Sequence, residues 1–226
     1  MRDEIVACAQ CPRLRAHCEA IARVKRRAFH GQSYWGRPVP GFGDTGARVV
    51  LCGLAPAAHG ANRTGRMFTG DDSGNWIYAA LHRAGFANQA TATEKGDGLE
   101  LRGAFVTAAA RCAPPDNKPT PSELAACAPF LARELALLDD VRVVVALGQI
   151  AWNATLRHAR SIDPAAVPTP RPKFGHGAES TVRVTAGGGS VALLGSYHPS
   201  RQNTNTGRLT RAMLDAVLLR ARDLTE

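Results

Sequence analysis

Four cysteines, one histidine and one aspartate carry most of the chemistry this sequence offers. Cys8 and Cys11 form a Cys-x-x-Cys pair, Cys112 lies far downstream, and Cys127 follows 15 residues later. Four thiolates can ligate a 4Fe-4S cluster or one zinc ion. Structural zinc sites more often draw on two close pairs, a pattern that the isolated Cys112 and Cys127 fit poorly. Four unligated buried thiols are the plain alternative. A thiol-redox centre fits less well, because Cys8 and Cys11 precede any strand. Cys52 lies inside an apolar run and reads as core. A second group of residues runs from Gly53 to Asp71: small residues first, then His59, Arg63, Arg66, Phe68 and the aspartate. The arginines suit phosphate and the phenyl ring suits a planar base. The competing reading makes Asp71 or Asp72 a helix cap and Phe68 a core residue.

These residues need elements to position them. Residues 3–28 read as helix interrupted at Cys11-Pro12, and the five glycines and two prolines of residues 30–46 read as loop. The apolar runs 48–54, 103–109, 141–147 and 191–196 read as buried strands. Residues 75–86, 149–157 and 209–224 read as helices. Thr120-Pro121-Ser122-Glu123 is a capping box that opens a helix running to about Leu138. Residues 161–190 are loop-like and suggest a hairpin over the core. Strand and helix alternate four times. That predicts a three-layer α/β/α domain with a central, mostly parallel four-stranded sheet over residues 1–226. Ligands of such sheets lie beyond the carboxyl ends of the strands. The segments 53–75, 111–118 and 197–206 should therefore converge.

The formal net charge is +9, which favours a polyanionic partner such as nucleic acid. The Gly-Lys-Ser/Thr element of nucleotide-hydrolase loops is missing. No apolar run approaches a membrane span, and the first residues, Met1 to Ile5, do not form a secretion signal. A cytoplasmic protein is expected, and a monomer, since no heptads or broad apolar stripe occur.

Three stretches make the sequence recognisable: Gly53–Asp71; Arg111-Cys-Ala-Pro-Pro-Asp-Asn-Lys-Pro-Thr120; and Ser196-Tyr-His-Pro-Ser-Arg-Gln-Asn-Thr-Asn-Thr-Gly-Arg208. In that order they resemble the family 5 uracil-DNA glycosylases, the iron–sulfur type b branch of that superfamily. The resemblance covers nearly the whole chain. It implies a structural 4Fe-4S cluster on Cys8, Cys11, Cys112 and Cys127, with Cys18 and Cys52 outside the ligand set. It also implies a base-excising enzyme of DNA repair. His198 would then hydrogen-bond the uracil oxygen that gains charge, and Phe68 would stack on the base. Asp71 would orient water or stabilise the sugar cation. Other branches carry an acid or amide in the motif matching Gly53-Leu54-Ala55-Pro56, and here those places hold Leu54 and Ala55. His59 and Ala55 line the base site in this reading. The amide that reads uracil in relatives is replaced by Thr107–Ala110, leaving Asn117 as the available one. A less exacting pocket implies hypoxanthine or ethenocytosine as further substrates. Arg63, Arg66, Lys118, Arg201, Gln202, Arg208 and Arg211 are the expected DNA contacts. Two other readings remain at this point: a non-catalytic module that binds damaged or abasic DNA, and a metal-containing enzyme acting on a small nucleotide.

Overall fold

A computed structural model describes residues 1–226. Six strands form one sheet: β1 (Phe42–Gly43), β2 (Val49–Gly53), β3 (Ala104–Ala108), β4 (Val143–Leu147), β5 (Glu179–Val182) and β6 (Val191–Ser196). Their order is β1-β3-β2-β4-β6-β5. The inner four are parallel, with Leu51 of β2 opposite Val106 of β3 on one side and Val145 of β4 on the other. Every residue of β2 and β4 is buried, as strands covered on both faces must be.

The helices are α1 (Arg2–Ala7), α2 (Pro12–Val24), α3 (Ala61–Thr64), α4 (Asp72–Arg83), α5 (Pro121–Ala136), α6 (Gln149–Ile162), α7 (Arg201–Asn205) and α8 (Arg211–Asp223). Side chains alternate across the sheet. Val49 and Leu51 of β2 join α4 and α8 in one apolar cluster, whereas Val50 and Cys52 join α5 and α6 in another. This is the three-layer architecture. The N-terminal helices add a satellite cluster of Leu14, Cys18, Cys112 and Ala113. Arg13 reaches Glu123 with two hydrogen bonds of 2.8 and 2.7 Å, and Arg133 of α5 pairs with Glu4 of α1. The capping box is present, with Thr120 and Glu123 bonding each other's backbone.

The four apolar runs form the parallel centre, but the sheet is two strands wider than they predict. β1 and β5 are antiparallel edges. Residues 161–190 do not fold over the core as a hairpin, because Glu179–Val182 instead pairs with β6 along the sheet edge. The chain leaves β2 toward β3 and later returns to β2's other side at β4. The crevice of a doubly wound sheet opens at such a reversal, outside the carboxyl ends of the strands.

Candidate active site

The site is assembled where β2 and β6 end. Gly53 closes β2, and a Cβ built on it would lie 2.7 Å from Cζ of Phe68, so only glycine lets that ring approach the strand end. Phe68 itself adopts φ +50°, a left-handed bend that a bulky residue rarely takes. Tyr78 holds the bend by donating its hydroxyl to the Met67 carbonyl at 2.7 Å. The ring is 9% exposed and belongs to the apolar cluster beneath α4, as the core reading expects. It also lies 5.9 Å from the His198 imidazole, tilted by 33°. Phe68 and His198, separated by 130 residues in sequence, therefore meet at one wall.

His198 enters from the end of β6. Asn203 donates to its carbonyl at 2.8 Å, and so does the backbone N–H of Ser200. Burial pushes its imidazole down to about 4. The ring is therefore neutral at neutral pH. Asp71 stands at the N-cap of α4, where one carboxylate oxygen accepts the Gly74 N–H at 2.8 Å. The other oxygen lies over Gly60, only 1.8 Å from where a Cβ would stand. Burial raises the carboxyl above its ordinary value, and the nearby Asp72 adds to the effect, while the Gly74 and Ser73 amides and Arg63 oppose it. Capping is thus part of Asp71's work, and the close approach of its second oxygen to Gly60 is the rest of its setting. His59, next to Gly60, shares a 3.0 Å hydrogen bond between Nδ1 and the Tyr34 hydroxyl. Its imidazole is lowered by burial first and then by Arg26 and Arg63. Ala55 is half-buried in the loop after β2, two residues from Gly53.

Two expected DNA contacts require correction. Arg63 and Arg66 are buried and spend their guanidinium groups inside the chain. Arg63 donates to the His59 carbonyl at 2.8 Å, the Gln32 side chain at 2.6 Å and the Gly70 carbonyl at 2.8 Å. Arg66 bonds Thr69 and pairs with Asp97 at 2.8 Å, both groups being nearly inaccessible. They brace the loop that carries Phe68 and Asp71 and leave no donor fork for phosphate. Asn117 ends the short 3-10 turn Pro115–Asn117 after β3, exposed and at φ +56°. Lys118 is exposed in that turn, whose carbonyl accepts from Arg13 at 3.2 Å. Arg201, Gln202 and Arg208 are exposed, as a DNA-facing segment requires. The segment is a short helix rather than a loop. Arg201 pairs with Asp72, and Arg208 lies over the Tyr197 ring, 4.6 Å from its centroid.

Several contributors were not legible beforehand. Ser73 donates to the Pro199 carbonyl at 2.9 Å and joins the two lips of the crevice. Tyr34 and Gln32 reach the site from the glycine-rich loop. An aromatic residue inside a loop was the only signal for Tyr34.

The cysteines gather on the far side of the loop after β3. Cys8 caps the end of α1, Cys11 caps the start of α2, Cys112 follows β3 and Cys127 lies in α5. Burial pushes the Cys11 thiol up to about 11, with Cys127, Cys112, Glu123 and Cys8 adding to the rise. Burial likewise raises Cys127, and it also feels Cys112 and Cys8. The four thiols thus stand within electrostatic reach of one another, and this donor set fits a metal–thiolate group. No three of them converge as a single ion would require. Cys18, outside the expected ligand set, is buried and donates to the Ala113 carbonyl at 3.6 Å. The adjacent Cys112 thiol holds the Cys18 thiol below the usual range, and Cys18 with burial pushes Cys112 above it.

Fold and site together define an α/β domain of the base-excising kind, and comparison with known families agrees. The profile of the uracil DNA glycosylase superfamily matches residues 40–222, and the chain belongs to that superfamily. Within it, relatives of 44–53% identity over nearly the whole chain are type-5 enzymes. A type-5 uracil-DNA glycosylase of Mycobacterium tuberculosis is 53% identical over 221 residues, covering 97% of this chain and 79% of the relative. That of Thermus thermophilus is 52% identical over 220 residues, covering 97% and 94%. A type-4 uracil-DNA glycosylase of Pyrobaculum aerophilum is more distant, at 31% over 139 residues, 61% of this chain and 62% of the relative.

Proposed function

We propose that this chain is a monofunctional DNA glycosylase that hydrolyses the N-glycosidic bond of uracil in DNA and so opens base excision repair. One observation carries the reading: a neutral, desolvated His198 beside the Phe68 ring, at the crevice whose other lip carries Asp71. In the reaction a water oxygen bonds to the sugar C1′. The bond from C1′ to the base breaks, and its electron pair leaves with the base. The transition state places positive charge on the sugar and negative charge on the base oxygen. A neutral imidazole N–H donates to that oxygen without protonating it, and an ionised Asp71 stabilises the sugar and accepts a water proton. The flipped base stacks on Phe68.

Uracil-containing duplex, incubated with the protein and then with alkali, should break at the uracil. Tight binding with an intact strand would replace the enzyme by a damage-binding module. Free uracil released from deoxyuridine alone would point to a nucleotide enzyme. Because the reading amide is absent from 107–110 and Asn117 is the amide left to take its place, hypoxanthine and ethenocytosine should be released as well. Release of uracil alone from a panel of single-lesion oligonucleotides would refute that extension.

We also propose that Cys8, Cys11, Cys112 and Cys127 hold a 4Fe-4S cluster. The group supplies a structural tie between the N-terminal helices and the loop after β3, and the hydrolysis needs no electron from it. The four-thiolate donor set, in which Cys112 and Cys127 stand singly rather than as a close pair, supports the choice over zinc. Purified protein should contain iron and acid-labile sulfide, and colourless protein holding zinc would overturn it.

A further inference from the structure

A second cavity lies on the outer side of the α4 N-terminus. It is an open cleft of about 360 Å³ between α4, α7 and the start of α8, and Asp72, Trp76, Arg83, Arg201, Asn205 and Arg211 line it. It shares a wall with the lesion crevice. Asp72 follows Asp71, Arg201 stands three residues after His198, and the Ser73–Pro199 bond forms part of the ridge between them.

The three guanidinium groups differ. Arg83 is held by Asp215 at 2.9 and 2.6 Å, and Arg201 is held by Asp72. Arg211 has no carboxylate partner, and it stands over the Trp76 indole, 5.8 Å from the centroid. It is also the first residue of α8, whose first turn contains no acid. A cation at that end opposes the helix dipole and weakens the helix. The Thr210 hydroxyl caps one amide of that turn, but no carboxylate pairs with Arg211, which leaves its charge open to an anion from outside. A flat indole beside an unpaired guanidinium is the pairing that holds one nucleotide, base on ring and phosphate on cation.

We propose that this cavity holds a nucleotide flanking the lesion, its phosphodiester on Arg211 and its base against Trp76. The proposal rests on the glycosylase reading and extends its DNA footprint to a second pocket. Binding is measured by fluorescence anisotropy on oligonucleotides carrying 2′-fluorodeoxyuridine, which resists cleavage, with either flank lengthened one nucleotide at a time. Wild-type affinity should step up about tenfold at the length that reaches the cavity. Trp76→Ala and Arg211→Ala should each lose that step and match wild type on shorter DNA. On long DNA, Arg211→Ala should also lower the salt slope by about 1. Arg211→Ala should melt at or above the wild-type temperature, so it keeps the test open if Trp76→Ala fails to fold. A step retained in Arg211→Ala, or a loss of equal size at every length, would overturn the proposal. Uracil release on cleavable DNA is scored separately. A flank-dependent step without uracil release removes the glycosylase reading and leaves the cavity's role standing. Release without a step does the reverse.

Discussion

Asp71 has two duties that one substitution can separate. Asparagine keeps an oxygen for the Gly74 N–H, whereas alanine does not. Asp71→Asn should therefore lower single-turnover cleavage on the order of 10²- to 10⁴-fold while binding persists. Asp71→Ala should lose the same activity and about 1 kcal/mol of stability besides. An Asp71→Asn enzyme with wild-type turnover would leave the residue as a cap alone. His198 makes a separate prediction about pH. Its folded value, about 4, lies below the ordinary histidine value of 6.5, so between these the unfolded chain binds the extra proton. Stability should fall as pH drops from about 6.5 toward 4, and His198→Asn should flatten that part of the profile in thermal melts. Asp71 acts in the opposite sense, since its raised value makes the folded state the better proton binder above the ordinary carboxylate value. The sequence made the identities of Asp71, Phe68 and His198 visible, but not the fate of an arginine. Arg63 and Arg66 look like phosphate ligands in a glycine-rich loop, and their internal acceptors lie as far off as Gln32 and Asp97.

At the scale of elements, the loop from β2 to α4 works because its glycines stand where other groups must pass. A methyl group on Gly60 would overlap the Asp71 carboxylate at 1.8 Å. Gly60→Ala should thus displace the carboxylate and cut cleavage at least tenfold, with a smaller effect on melting than on rate. Equal turnover would show that the second carboxylate oxygen is idle. The four inner strands were readable because each is a short, mainly apolar run bounded by turn residues, and α5 was readable from its capping box. β5 was not. Glu179–Val182 is polar and mostly exposed, and it becomes a strand only because the edge of β6 offers its backbone partners. α7 likewise escaped notice, since five polar residues carry no apolar period.

For the molecule as a whole, the loop carrying Cys112 is anchored by a buried ion pair. Arg111 is almost wholly inaccessible and bonds Thr107 at 2.6 Å and Glu134 at 2.7 Å, and Glu134 in turn accepts the Gly41 N–H at 3.0 Å. Arg111→Met leaves the Glu134 charge uncompensated and should cost about 3–5 kcal/mol. It should also reduce iron retention, because the next residue is a proposed ligand. A variant with unchanged melting and iron content would refute the anchor. The Ser73–Pro199 and Asp72–Arg201 contacts have a different reach, since they fasten both lips of the crevice into one rigid rim. With its lips already joined in the free protein, the crevice is shaped to receive a base that has left the duplex. A uracil facing guanine is held less firmly than one facing adenine and breathes out of the helix more often. Uracil should then be released faster opposite guanine than opposite adenine, through the lifetime of the base pair alone, and equal single-turnover rates on the two duplexes would refute this.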